Sequence, residues 1–426
     1  MLEEISDIPP QTIRELAHAP SEVPLAKVKH AQLAVGTLFL VNGAAIGSWV
    51  PHIPERAAAL HLNEAQLGSV LLAAGIGALC AMPISGPLLR RAGSRRVSVA
   101  AGLLFPAFFT LAMLLPTVKL LVIVLFLTGL NAAAMDVSMN AHGVLIEGLL
   151  GKRTISMFHA IFSVGCFSGA GIHSFLMARH VRDAILVPSF GAILLAMVLA
   201  VWPLLLSQKV ENAQHASHHD PTPPATRTGL RALAPARLPD PRLLLLGLLC
   251  FSTMVSEGAM GDWSALLLRV VHHLPNGTAG YGYTCFAGFM VLGRFTGDRV
   301  VARIGELRAL RFGGAVSAAG ILMILLLHPL GWVLLGFALA GAGLANASPV
   351  LYRTAATMPG FAPGEGLSTA VGVGYAGLLV GPPLLGLLAH AQGLPSIFWV
   401  LLTLSITLSA AAPLVRKCQA AHPRRT

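Results

Sequence analysis

The sequence predicts an all-α polytopic membrane protein of about twelve transmembrane helices, arranged as two similar six-helix halves. Three observations predict it. Of the 426 residues, 55% are hydrophobic and 11% are charged, whereas a soluble domain carries about 25% charged residues. The apolar residues fall in long Leu-, Ala- and Gly-rich runs that match the roughly 20 residues of a helical span and lack the alternation of a membrane barrel. Short motifs also recur in the same order in the two halves of the chain.

Taken in order, spans fall near 31–51, 64–88, 97–116, 119–145, 157–178 and 183–206, then near 242–266, 279–302, 309–329, 331–352, 365–390 and 395–415. Residues 207–241 between the two sets hold Gln, Asn, Ser, His, several arginines and the proline-rich stretch PTPPATRTGLRALAP, a polar segment unable to bury itself. The expected division is a tail 1–30, an amino-terminal bundle 31–206, a linker 207–241, a carboxy-terminal bundle 242–415 and a tail 416–426. The first thirty residues contain no apolar h-region, so the first span is expected to act as the insertion signal.

Charge orients these spans. One set of loops carries Arg90, Arg91, Arg95, Arg96, Lys152, Arg153, Arg299, Arg303, Arg308 and Arg311, and the linker, Arg353 and the tail residues Arg416, Lys417, Arg424 and Arg425 share that side. The opposite loops hold Arg56, Lys119, Arg179, Arg182 and Arg269. The positive-inside rule therefore puts both termini and the linker in the cytoplasm, with the chain in the inner (plasma) membrane. The same rule accounts for the net charge of +11, so no nucleic-acid partner is expected. Cys80, Cys166, Cys250, Cys285 and Cys418 form no C-x-x-C pair and read as packing residues.

The repeats are specific. NGAAIGSW (Asn42 to Trp49) and EGAMGDW (Glu257 to Trp263) stand in the first span of each half. Arg91-Ala92-Gly93 and Arg303-Ile304-Gly305 follow the second span, and Asn140-Ala141 and Asn346-Ala347 lie in the fourth, each seven residues before Glu147 or Arg353. They indicate a duplicated six-helix unit, which places a substrate site between the halves near the bilayer midplane.

With this plan, the chain resembles the major facilitator superfamily from about residue 31 to 415. The superfamily's loop signature G-x-L-a-D-r-x-G-r-r corresponds to Gly86-Pro87-Leu88-Leu89-Arg90-Arg91-Ala92-Gly93-Ser94-Arg95-Arg96, with Arg90 in the acidic position. The second copy, GRFTGDRVVARIG, keeps an acid at Asp298, one turn after Arg294. MDVSMNAHGVLIE, MFHAIFSVGCFSGA, EGAMGDWSALLLR and GYAGLLVGPPLLGLLA look like a bacterial branch of YbjJ-like and MosC-like inner-membrane proteins. The resemblance implies a secondary transporter working by alternating access.

Ionisable and polar groups inside spans are functional candidates by default. Asp136, Asn140, Gly143 and Glu147 share one stripe of the fourth span, with Asn131 partly off it. Asp136 is read as substrate anchor or proton carrier, against the alternative of interhelical hydrogen bonding; Glu147, near the span end, is read as a solvated or loop-pairing carboxylate. Glu257 is the further proton-coupling candidate. Asn42, Trp49, Asn131, Asp136, Asn140 and Asn346 are the expected substrate contacts, the Asn42 and Trp49 pair suiting a polar solute with a flat face. Gly86, Arg90, Arg91, Gly93, Arg294 and Asp298 are expected in the gating loops, with Arg294 and Asp298 neutralising each other at i,i+4. His159 reads as a packing or loop residue and Asp262 as an interfacial one, while Gly165, Gly169 and Gly171 are read as permitting close helix approach.

No P-loop and no G-x-S-x-G motif occurs, so no cofactor, ATP coupling or enzyme activity is expected. The linker's His215, His218, His219 and Asp220 read as solvated, and no metal site is expected. The expected partners are a small polar organic solute (sugar-like or an organic acid), the proton gradient and the lipid bilayer, with the chain acting as a monomer. Drug efflux is the alternative within the same fold. A non-transporting receptor or a membrane-embedded enzyme is the alternative outside it.

Overall fold

The computed structural model describes residues 23–152, 154–217, 240–359, 361 and 365–419. The amino-terminal tail, Arg153, most of the linker with its histidine cluster, and the end of the carboxy-terminal tail lie outside the described residues. The helices are α1 Leu25–Trp49, α2 Ile53–Ala59, α3 Glu64–Ala112, α4 Val118–Leu150, α5 Ile155–Ala178, α6 Asp183–Val201, α7 Gln208–Ser217, α8 Pro241–Val270, α9 Asn276–Ala279, α10 Tyr281–Ile304, α11 Glu306–Leu326, α12 Leu330–Leu344, α13 Ala347–Ala356, α14 Glu365–Gln392 and α15 Pro395–Gln419.

Ten helices among the described residues are long and apolar enough to cross a membrane. That number becomes twelve crossings for two physical reasons. α3, 49 residues long, is two spans joined through Gly93, whose backbone is not helical. α10 has the length of a span, 24 residues, but Arg294, Asp298 and its tyrosines make it too polar for a simple apolar standard. Large apolar side chains such as Ile123, Val144, Ile185, Leu292, Phe295, Phe312, Trp332 and Trp399 stand on the outside. That is the inverse of a soluble fold and fits a lipid solvent.

The repeated Arg-x-Gly motif has a backbone cause. Gly93 sits at φ 78°, ψ 155° and Gly305 at φ 84°, ψ 155°, a region that only glycine occupies without strain. Both halves therefore turn from second to third span on the same device. Elsewhere, local chemistry sets the ends. Asn63 and Gln66 form a capping box at the start of α3, with reciprocal bonds of 2.8 and 3.0 Å. Glu147 Oε2 accepts the N–H groups of Thr154 and Ile155 at 2.7 and 3.2 Å, the loop-pairing role its position suggests.

Two features depart from the sequence reading. The tenth span is broken: α12 stops at Leu344, and α13 restarts at Ala347 with Asn346 as its N-cap. The linker is also helical near its start, where Gln208–Ser217 form α7. Glu211 Oε2 on α7 accepts the N–H and Oγ of Ser94, both at 3.0 Å. Ser94 Oγ lies 2.8 Å from His142 Nδ1, and His142 Nε2 accepts the N–H of Leu206 at 3.1 Å. Because Nε2 accepts, Nδ1 carries the proton and donates to Ser94, which donates on to Glu211. This buried chain fastens the start of the linker to the α3 turn and α4.

Glycines let backbones touch within each half. A side chain at Gly77 would meet the carbonyl of Phe126, and one at Gly129 the carbonyl of Ala74, where the first limb of α3 crosses α4. Gly165 and Gly169 rest likewise against Leu40 and Ala44 of α1, whereas Gly171 faces Thr284 in the other half. Overpacking at such a crossing costs about 1–3 kcal/mol. Gly129→Val is therefore expected to lower unfolding stability in detergent by ~3 kcal/mol, read from thermal or SDS titration. Wild-type stability in that variant would remove the crossing from the account.

Candidate functional site

The two halves meet unevenly. Gly68 of α3 lies against Pro382 of α14, Gly386 against the Glu64 carbonyl, and Gly75 against Leu379. On the other seam, Gly277 and Gly280 lie against Ala178 and Ser174 of α5 and Pro51, and Gly288 against Phe167. Glu64 and His390 approach to 3.6 Å across the first seam. An apolar cluster runs through this region from Trp49, Val50, Ile53 and Leu67 to Leu266, Ala279 and Tyr283, while a second cluster stays within the amino-terminal half. Among the described residues, these contacts between halves lie from mid-membrane to the end opposite the linker. Toward the linker end, Met82, Ile84, Met157 and His159 are exposed. The far-end contacts together with this exposure are read as a cleft between the halves that opens toward the linker end.

At the floor of this cleft, near the middle of their helices, sit Arg294 of α10 and Glu257 of α8. Arg294 Nη2 and Glu257 Oε2 are 3.2 Å apart, with side chains 19% and 28% exposed. Arg294 Nη1 donates to Ser163 Oγ of α5 at 2.6 Å, a bond between halves. Ser348 Oγ of α13, just past the break in the tenth span, donates to Glu257 Oε1 at 3.4 Å and stands 3.5 Å from Thr253 Oγ1. The pair is a charge-neutral unit in a partly dry setting, held by hydroxyls from both bundles.

The expected Arg294–Asp298 pair does not form. Asp298 is 94% exposed and lies 4.0 Å from Arg353, which reaches Glu306 at 3.2 Å. One turn of helix separates the two environments: water solvates Asp298, whereas Arg294 lies deeper and needs a protein anion. Helical spacing alone carries no information on that difference.

The other expected contacts divide. Asp136 and Asn140 are half-buried on α4, and Asn140 Nδ2 donates to Asp136 Oδ1 at 3.0 Å and to its carbonyl at 2.8 Å. Farther along the stripe, Gly143 packs against Ile155 and Phe158. Asn131 is buried and spends its Nδ2 on the Leu127 carbonyl at 2.8 Å. Asn42 is buried, and Trp49 is covered, its ring 6.0 Å from that of Phe109. Asn346 caps α13 with its amide against Gly297 of α10. Asp262 lines a small recess with Pro382 and Leu385. His159 stands edge-on to Phe39. Of the loop motif, Gly93 is buried at the turn, while Arg90 and Arg91 are exposed.

Sequence reasoning missed Ser348 and the hydroxyl role of Ser163, and also a cluster of His52, Glu55, His173 and Asp183 at the far end. Only the H-x-x-E spacing of His52 and Glu55 was visible locally. A recess of about 470 Å³ also lies at the far end, between Pro54, Asn63 and Glu64 on one side and Leu266, Arg269 and His273 on the other. It contains none of the mid-membrane carboxylates.

The family model described as Major Facilitator Superfamily matches residues 34–373. An uncharacterised MFS-type transporter of Yersinia pestis is 31% identical over 387 residues, covering 91% of this chain and 96% of that protein. Membrane protein MosC of Rhizobium meliloti is 30% identical over 416 residues, covering 95% and 98%. The fold is similar to the crystal structure of nucleoside transporter NupG, with a TM-score of 0.70 and 14% identity over 91% of this chain and 99% of that one.

Proposed function

The chain belongs to the Major Facilitator Superfamily of membrane transporters, and from that premise we propose that it moves a small polar organic solute, sugar-like or an organic acid, by proton-coupled alternating access. The observation that carries this reading is the Arg294–Glu257 pair, tied through Ser163 to the opposite half. While Glu257 is ionised it holds the guanidinium. A proton on Glu257 removes that attraction, and Arg294 then offers its planar donors to a solute carboxylate or hydroxyl. When the solute leaves, the pair re-forms and the proton is released. Because Arg294 also bonds Ser163, the state of the pair is felt at the seam that must open. Asp136 and Asn140 supply polar groups on the facing wall.

The linker end carries the arginine-rich loops, so this reading places it in the cytoplasm with both termini, in the inner membrane. The cleft then faces inward. A path lying between the halves of one chain supports a monomeric unit, with the bundles divided by the linker after residue 206.

Uptake into proteoliposomes over a panel of hexoses, polyols and mono- and dicarboxylates tests the proposal, with and without an imposed pH gradient. One member of the panel is expected to accumulate only with the gradient. Binding without movement, or movement only of lipophilic cations, would overturn it.

A further inference from the structure

We propose that His52, Glu55 and Asp183 form a binding site for a divalent transition-metal cation of the zinc type at the far end of the amino-terminal half. His52 ends the short helical turn Val50–His52, Glu55 lies on α2, and Asp183 is the first residue of α6. One donor atom from each lies within 4.8 Å of the others. His52 Nδ1 is 3.6 Å from Asp183 Oδ2. Two donors each about 2.1 Å from a common ion at a tetrahedral angle are about 3.4 Å apart, so a small movement of the Glu55 carboxylate completes the arrangement.

The imidazole points to a ligand independently of the acids. His52 is fully buried, and its Nδ1 has no hydrogen-bond partner; 3.6 Å to a carboxylate is too long for one. Its other nitrogen, Nε2, lies 2.8 Å from His173 Nδ1. With Nε2–H donating to His173, the Nδ1 lone pair faces two carboxylates, an arrangement that a cation between them makes favourable. A metal-bound histidine characteristically donates its second N–H to such an outer partner. His173 is itself held against Phe190, ring centroids 4.6 Å apart.

Charge agrees with this. Two carboxylates share the cluster with one cation, Arg56, whose Nη2 lies 3.7 Å from Glu55 Oε1. The carboxylates are partly exposed, which leaves an entry path for the ion. One imidazole with two carboxylates favours zinc, cobalt, nickel or manganese over magnesium and calcium, which prefer all-oxygen sites.

The site has a mechanical consequence. Pro51 and Ser174, the neighbours of His52 and His173, both pack against Gly280 of the other half. An ion bound here would fix the turn Val50–His52 to α6 and hold the closed seam in place, slowing turnover.

The test titrates Zn²⁺ alone against the purified full-length chain in nanodiscs, using a chromogenic chelator as competitor. About one ion per chain is expected, with affinity at least tenfold weaker in Glu55→Gln and Asp183→Asn and no competition from Mg²⁺. These near-isosteric variants keep the question answerable if His52→Ala fails to fold. Zn²⁺ should also raise the melting temperature of the wild type and leave that of Asp183→Asn unmoved. Unchanged binding in both carboxylate variants would overturn the proposal. So would binding that disappears when linker residues His215, His218 and His219 are replaced by alanine.

Discussion

Glu257→Gln is expected to cut uptake driven by a pH gradient about thirtyfold while preserving solute counterflow. The substitution keeps the shape of the side chain and its contact with Ser348 but removes the carboxylate whose charge balances Arg294 at 3.2 Å. Removing one partner of a fully buried ion pair costs about 3–5 kcal/mol. Here the side chains are 19% and 28% exposed, so water recovers part of that, and about 2 kcal/mol is the better expectation. The cost falls on the solute-free state, in which Arg294 has lost its anion. The re-formation step that releases the proton therefore disappears, and gradient-driven uptake should fall roughly thirtyfold, the equivalent of that energy. Counterflow, which never empties the site, should persist. Arg294→Lys is a sharper companion, because an ammonium cannot bond Ser163 and Glu257 with one rigid fork. If Glu257→Gln retains full gradient dependence and Asp136→Asn loses it, the proton carrier is on α4.

Gly68→Val is expected to prise open the far-end seam. A side chain at Gly68 would meet the backbone carbonyl of Pro382, and a carbonyl in a helix cannot move aside as a flexible side chain can. The clash exists only while the far end is closed, so its cost of about 1–3 kcal/mol biases the conformational equilibrium and spares folding. A shift of 2 kcal/mol changes the ratio of states about thirtyfold. In a cysteine-free background, Ala389→Cys reports on it, since Ala389 is buried and lies about one turn along α14 from Gly386, which meets Glu64 across this seam. Labelling by a membrane-impermeant thiol reagent should accelerate at least tenfold in Gly68→Val and stay slow in Gly129→Val, whose crossing lies inside one half. Equal, slow labelling in both, with transport intact, would mean that the seam at Gly68 does not gate access.

Much of the fold was legible before the structure, for reasons that can be named. A span announces itself because the bilayer requires a continuous apolar stretch, so boundaries such as Asp183 and Pro395 fall where expected. The Arg-x-Gly repeat was legible as a repeated motif, and Gly93 and Gly305 share a positive-φ, extended-ψ geometry that disfavours any side chain. Glu147 was legible from its place at a helix end. In each case the cause lies within a few residues of its effect.

The site was legible only in part. Asp136, Asn140 and Glu257 stood out as polar groups inside spans, because a membrane interior makes any such group conspicuous, whereas Arg294 was expected in a gating loop, neutralised by Asp298. Their partners did not. Glu257 is 37 residues from Arg294, Ser163 is 131 away, and His52 meets His173 across 121 residues. The break at Asn346 was hidden too, since α12 and α13 together form one unbroken apolar run.

The sequence by itself determined that the chain crosses a bilayer as two six-helix units and turns on glycine at Gly93 and Gly305. It also marked which residues are costly enough at depth to need a reason. Solvent and local backbone sterics act residue by residue, and so leave their mark in composition and spacing. Only the tertiary structure decided that Arg294 pairs with Glu257 rather than Asp298, that Trp49 is covered, and that Glu55, His173 and Asp183 from three separate elements gather around His52. Those outcomes depend on which faces of distant helices meet and which of them stay dry, and no window along the chain contains both sides of that contact.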